Sequence, residues 1–67
     1  MHLIINGKDK HFDTDALSVS ALVSEMNLVG KRIAIERNGE IVPRSQFDTV
    51  VLNAGDRLEI VGAVGGG

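Results

Sequence analysis

Three consecutive glycines, Gly65 to Gly67, end the sequence and are its most unusual chemical feature. A backbone without Cβ atoms can pass through a channel too narrow for any side chain, so it could carry a terminal carboxylate into another protein's active site. An α-carboxyl group has a pKa of about 3.3–3.7, so at neutral pH it is an anion able to attack the α-phosphate of ATP. The product of that attack is an acyl-adenylate. The sequence therefore predicts an activatable carboxylate at Gly67.

The side chains offer little that could perform catalysis. Cysteine is absent, which excludes disulfides, thiolate metal sites and cysteine nucleophiles. His2 and His11 have no partner at metal-ligand spacing, so we expect both to be surface residues. Asp13 and Asp15 precede a predicted helix, where acidic side chains favour the positive end of the helix dipole, so we interpret them as structural. No Gly-rich loop lies between a strand and a helix, and the chain is expected to have no nucleotide site of its own.

Size and composition predict one folded domain. The chain has 67 residues, near the lower limit for a domain that folds without metals or disulfides. Hydrophobic residues make up 43% and charged residues 24%, values typical of globular proteins. The net charge of -2 and the scattered basic residues argue against a nucleic-acid partner. No apolar run approaches the roughly 20 residues that cross a bilayer, and no signal-peptide pattern is present, so we expect a cytoplasmic protein. We also expect the free protein to be a monomer.

Turn residues and alternating hydrophobicity predict a protein rich in short strands. Asn6-Gly7 and Asn38-Gly39 tolerate the positive φ angles of type I′ turns, and each pair is predicted to close an antiparallel hairpin. The predicted strands cover residues 3–5, 8–12, 32–37, 40–42, 50–52 and 57–61.

Between the two hairpins, apolar residues at spacings of i, i+3, i+4 and i+7 from Val19 to Met26 predict an amphipathic helix. Ser18 is the predicted N-cap, since its hydroxyl can accept a hydrogen bond from an otherwise unpaired backbone N–H. Gly30 offers a helix-ending position, and the helix is predicted to run from about Val19 to about Leu28.

A single helix of this size covers one face of a small sheet. The order ββαβ(β)β therefore predicts an α+β fold in which a small mixed sheet wraps around the helix, which is the β-grasp architecture. The rival is a split βαβ ferredoxin-like fold, which needs a second helix, and no second helical stripe follows Gly30. The predicted organisation is a β-grasp domain over residues 1–61 and a flexible Gly-rich C-terminal tail over residues 62–67 that carries the reactive carboxylate.

Four segments follow the pattern of a known family: residues 3–7, residues 33–46, the Gly55-Asp56 turn and the terminal Gly66-Gly67 pair. The stretch Ile41-Val42-Pro43-Arg44 is the most specific part of them. Over essentially its whole length, the chain thereby resembles the ThiS family of thiamine-biosynthesis sulfur carriers, which are ubiquitin-like proteins. One departure is the third glycine, Gly65, because an apolar or alanine residue often precedes the final pair in that family.

The resemblance implies that the chain is a protein co-substrate and not an enzyme, with Gly67 as its functional residue and no bound cofactor. An E1-like adenylyltransferase of the ThiF type would use ATP and magnesium to adenylate the Gly67 carboxylate. A persulfide donor would then replace the adenylate and leave a thiocarboxylate, from which a thiazole synthase of the ThiG type would take sulfur for the thiazole of thiamine. Gly66, Gly65 and Val64 would thread into the partner, and Val61 would contact it near the end of the last strand.

Other functions are compatible with the same residues. A molybdopterin-synthase small subunit has the same fold and the same terminal thiocarboxylate, but it is expected to be longer and to lack the stretch at 41–44. A non-covalent β-grasp interaction module would carry the glycines only as a tail. A protein-conjugating modifier would form lysine-linked adducts.

Overall fold

In the computed structural model, residues 1–62 are described, and they form seven strands and one α-helix. In chain order these are β1 (His2–Ile5), β2 (Lys8–His11), β3 (Leu17–Ser18), α1 (Val19–Glu25), β4 (Ile33–Arg37), β5 (Glu40–Val42), β6 (Val51–Leu52) and β7 (Arg57–Gly62). Five strands form one sheet in the order β2-β1-β7-β4-β5, in which β1 and β7 are parallel and the other pairs antiparallel. The predicted small mixed sheet with one helix is confirmed.

Both Asn-Gly pairs form the predicted hairpin turns. Asn6 and Gly7 have φ angles of 51° and 80°, and Asn38 and Gly39 have φ angles of 50° and 89°. Positive φ at both central residues is what a type I′ turn requires, and Asn and Gly reach that region with the least strain. The hairpins β1–β2 and β4–β5 are therefore confirmed.

A second, two-stranded sheet lies outside the main sheet. β3 pairs antiparallel with β6, and Leu17 lies opposite Leu52. Alternating hydrophobicity predicts no strand at residues 17–18, because two residues are too few to show a period. The strand forms through pairing with a segment more than thirty residues away, which a local pattern does not report.

The first turn of α1 is held by two partners. The Ser18 Oγ accepts a hydrogen bond from the Ala21 N–H at 3.0 Å, so the predicted N-cap is confirmed. The Val19 N–H donates to the Val50 carbonyl at 3.0 Å. Both bonds satisfy backbone donors that have no acceptor inside the helix, which is why so short a helix can start at this point.

The C-terminal end of α1 corrects the predicted boundary. The helix ends at Glu25, three residues before the predicted Leu28. Asn27 adopts a φ of 59°, and the Leu28 N–H donates to the Val23 carbonyl at 2.9 Å, which is the pattern of a Schellman motif. Asn27 thus takes the left-handed position that the sequence analysis assigned to Gly30.

The core lies between α1 and the concave face of the main sheet. Its side chains come from the helix and from six of the seven strands, so every layer contributes apolar surface. The buried apolar residues are Leu3, Ile5, Leu17, Val19, Leu22, Val23, Ile35, Val42, Leu52, Leu58 and Ile60. Burial of this surface is the main stabilising contribution to the fold. Among residues 1–62, no helix combines the length and apolar character that crossing a membrane requires.

Asp56 is a buried charged residue that joins two turns. Its carboxylate accepts hydrogen bonds from the Arg37 Nε at 2.8 Å, the Asn38 Nδ2 at 3.1 Å and the Asn53 N–H at 2.8 Å. Burial alone raises the pKa of Asp56, but these three donors and the Arg37 charge outweigh burial and hold that pKa below its ordinary value of 3.8. The β4–β5 turn and the turn before β7 are thereby fixed to each other.

The depressed pKa of Asp56 predicts acid sensitivity. A carboxyl group with a lower pKa in the folded state stabilises the fold above its unfolded-state pKa, and this contribution is lost as pH falls through the folded-state pKa. We expect the free energy of unfolding, measured with urea, to decrease as pH is lowered below about 4. Asp56→Asn should lower stability by about 2 kcal/mol at neutral pH and flatten the acid limb of the profile. Profiles of unfolding free energy against pH that have the same shape in the unchanged protein and in Asp56→Asn would contradict this role of Asp56.

Candidate functional site

The end of β7 determines where the predicted reactive segment leaves the fold. β7 runs parallel to β1 and antiparallel to β4, and Gly62 at its end lies opposite Ile33 at the start of β4. The Asn6 turn after β1 lies on the same side of the sheet. We call this region the exit end and define it by Asn6, Arg32, Ile33 and residues 60–62. The predicted functional residue Gly67 and the predicted threading residues Gly66, Gly65 and Val64 lie outside the described residues, so those assignments stay predictions.

Asn6 binds the last strand directly at the exit end. Its Nδ2 donates to the Ile60 carbonyl at 3.0 Å, and its Oδ1 accepts from the Ile60 N–H at 2.8 Å. Its backbone N–H donates to the Leu58 carbonyl at 2.9 Å. The side-chain amide therefore continues the parallel pairing of β1 with β7 beyond the end of β1. The local sequence pattern predicts only a turn role for Asn6, because it does not show that β1 and β7 are neighbours in the sheet.

Replacing Asn6 by Gly should loosen the exit end and keep the turn. Glycine adopts a φ near 50° without strain, so the hairpin is preserved while both side-chain bonds to Ile60 are lost. We expect a loss of about 1–2 kcal/mol in the free energy of unfolding. We also expect the substitution to accelerate hydrogen exchange at the Ile60 amide more than at the core amide of Ile35.

Asn38→Gly is the matched control, because Asn38 occupies the same turn position and binds the Asp56 carboxylate and the Arg57 N–H at the start of β7. That variant should leave the exchange rate at Ile60 unchanged relative to Ile35. Equal Ile60 exchange in the two variants would rule out a specific role of Asn6 at the exit end.

Val61 is the one predicted contact residue that the structure describes. It is 56% exposed, and it lies opposite Ala34 on β4. Its neighbour Ile60 faces the core, so alternation along β7 places Val61 on the outer face of the sheet. Ile41 on β5 is 71% exposed. The exposure of Val61 is what a partner contact requires, and the contact itself stays a prediction.

The described residues show no arrangement that would hold a metal ion. Residues 1–62 contain no group of three or more His, Asp or Glu side chains at metal-binding positions. As predicted, His2 and His11 are exposed. The His2 Nε2 lies 3.0 Å from the Asp9 Oδ1, and the His11 Nε2 lies 3.8 Å from the Asp13 Oδ1. These are surface pairs, which contribute little to stability.

Comparison with known proteins supplies the family. The model of the ThiS family matches residues 3–67. The chain belongs to the ThiS family. This ThiS-family chain is 37% identical to the sulfur carrier protein ThiS of Bacillus subtilis over 65 residues, which cover 97% of this chain and 98% of that protein. The crystal structure of the thiamine biosynthesis protein ThiS from Geobacter metallireducens is similar with a TM-score of 0.88 and 33% identity, covering 100% of both chains. The ubiquitin-like β-grasp prediction is confirmed.

A second kind of relative is much longer than this ThiS-family chain. A thiazole synthase of Paramagnetospirillum magneticum is 45% identical over 67 residues, which are 100% of this chain and 20% of that protein. The chain therefore spans about a fifth of the length of the thiazole synthases it matches, which are represented also by a protein of Magnetococcus marinus with 20% coverage.

Proposed function

We propose that this chain is a sulfur carrier protein for thiamine biosynthesis, and that the Gly67 carboxylate carries the sulfur as a thiocarboxylate. The observation that supports this most strongly is the ThiS-family match, which extends through residue 67 and so includes the terminal glycines. The Bacillus subtilis sulfur carrier of nearly equal length supports the same reading.

We assign activation of the carboxylate to a partner, because membership of the ThiS family implies a separate adenylyltransferase. A ThiF-type adenylyltransferase would bind ATP and magnesium. The Gly67 carboxylate oxygen attacks the α-phosphate and displaces pyrophosphate. A persulfide sulfur then attacks the acyl carbon and displaces AMP, and a thiol cleaves the resulting S–S bond to release the thiocarboxylate. Adenylation is needed because a carboxylate oxygen is a poor leaving group and AMP is a good one.

A ThiG-type thiazole synthase is the proposed acceptor of the sulfur. Its support is that thiazole synthases contain a segment similar to this whole chain. The ThiS-family match also favours thiamine over the molybdopterin pathway. The two pathways separate experimentally, because the thiocarboxylated protein should support thiazole formation by thiazole synthase and should not support molybdopterin synthase. Cytoplasmic location and a monomeric free state are further proposals.

Intact mass spectrometry tests the proposal. The protein is incubated with its cognate adenylyltransferase, ATP, magnesium and a persulfide donor, and we expect a mass increase equal to replacement of one oxygen by one sulfur. A reaction without ATP should leave the mass unchanged. If the same enzyme mixture thiolates the Bacillus subtilis ThiS protein and leaves this chain unmodified, the non-covalent interaction module becomes the better explanation.

A further inference from the structure

Three basic residues lie together at the loop between α1 and β4, next to the exit end. Lys31 and Arg32 lie in the connection from α1 to β4, and the Arg44 guanidinium donates to the Lys31 carbonyl at 3.3 Å. All three are exposed, and none lies within ion-pair distance of a carboxylate of residues 1–62. We call these three residues the basic cluster. It is a local positive surface on a chain whose net charge is -2.

An apolar groove adjoins the basic cluster. It has a volume of about 650 Å³, and Met26, Leu28, Ile33 and Ile60 form its apolar walls. The first three of these side chains are only half-buried in the free protein. Val29, on the same loop as the basic cluster, is 70% exposed. An open apolar groove edged by cations has the make-up of a protein interface, with an apolar centre and a charged rim.

The position of the groove places it within reach of any protein that takes the tail. Gly62 lines the groove, and five residues separate it from Gly67 in the sequence. A fully extended chain spans at most about 3.5 Å per residue, so an active site that receives Gly67 lies within about 17 Å of Gly62. A partner whose active site lies that close is near enough to contact the exit end.

Arg44 connects the Ile41-Val42-Pro43-Arg44 stretch to this surface. Besides the bond to the Lys31 carbonyl, its guanidinium carbon lies 5.9 Å from the centroid of the Phe47 ring, within the range of a cation–π contact. The bond to Lys31 joins the loop that carries Lys31 and Arg32 to the short helical turn at Arg44–Gln46, and the contact with Phe47 orients the Arg44 side chain within that turn.

We propose that the groove and the basic cluster form a docking surface for thiazole synthase, which would present carboxylates next to apolar side chains at this site. The inference rests on the proposed function, and thiazole synthase is the chosen occupant because a segment similar to this chain occurs within proteins of that name. The cations accelerate and orient the encounter, and the apolar groove supplies the buried contact.

Charge reversal at the cluster tests the docking surface. Lys31→Glu with Arg32→Glu should raise the KM of thiazole synthase for the thiocarboxylated carrier about tenfold and leave kcat within about twofold. High salt should raise the KM of the unchanged carrier and affect the variant less. The matched control is Lys10→Glu with Arg57→Glu, because it makes the same change in net charge at exposed positions away from the exit end. Its KM should shift by less than about threefold.

Each other outcome overturns a defined part of the proposal. An unchanged KM for the variant, or an equal shift in the control, excludes this docking surface. A KM shift confined to the adenylation reaction excludes thiazole synthase as the occupant. If the charge-reversed protein fails to unfold cooperatively, Lys31→Gln with Arg32→Gln replaces it, with a smaller expected rise in KM. Failure of the unchanged carrier to form a thiocarboxylate would refute the proposed function, whereas failure of the variants alone would refute only the surface.

Discussion

Deleting Gly66 and Gly67 is expected to abolish sulfur transfer and to leave the free energy of unfolding within about 0.5 kcal/mol of the full-length value. The buried apolar residues of the described fold all lie between Leu3 and Ile60, so the deletion removes none of them. The truncated chain still ends in a carboxylate, that of Gly65, but its reach is shorter by about 7 Å. Intact mass after the complete thiolation reaction and urea unfolding measure the two effects.

A length-restored variant separates reach from the identity of the last residues. It combines the deletion with two glycines inserted after Gly62, so a terminal glycine carboxylate returns to its original distance from the fold. We expect this variant to regain part of the thiolation. Thiolation of the short form at the full-length rate would show that the position of the carboxylate is unimportant, and loss of cooperative unfolding would show that the fold needs the last two residues.

The largest expected loss of stability comes from Leu22→Ala. Leu22 is 0% exposed and lies on the helix face that packs into the sheet, so its removal leaves a cavity and should cost about 2–5 kcal/mol. For a domain whose total stability is about 5–15 kcal/mol, this loss raises the unfolded fraction strongly. Urea unfolding gives the value, and thiolation should decline in proportion to the folded fraction.

Ile41→Ala is the matched control for the core substitution. It removes the same number of carbon atoms from a side chain that is 71% exposed, so its cost should stay within about 0.5 kcal/mol. A Leu22→Ala variant no less stable than Ile41→Ala would contradict the packing of α1 against the sheet.

The features that sequence predicts well are those set by neighbouring residues. The two Asn-Gly turns need positive φ angles that few residues tolerate, and the Ser18 cap needs only a hydroxyl three residues before its donor. The end of α1 shows the limit of this reasoning. Asn27 and Gly30 both have positive φ, and the Leu28 N–H bond to the Val23 carbonyl decides that the helix ends at the first of them.

The features that sequence misses depend on segments far apart in the chain. Residues 17–18 become a strand because β6 lies beside them, and Asn6 binds Ile60 because β7 is inserted between β1 and β4. For the site, composition alone draws attention to the terminal glycines, whereas the basic cluster appears only once Arg44 is folded against Lys31. Strand order and loop contacts of this kind arise from tertiary packing and leave no periodic signal in the sequence.

Fragment mass spectrometry of the untagged gene product after thiolation locates the sulfur atom. We predict that every fragment containing Gly67 carries one sulfur in place of one oxygen, and that every N-terminal fragment lacking Gly67 has its unmodified mass. Sulfur on any fragment without Gly67, or a gene product that continues past residue 67 and is not trimmed back, would contradict the assignment of the carrier atom to the Gly67 carboxylate.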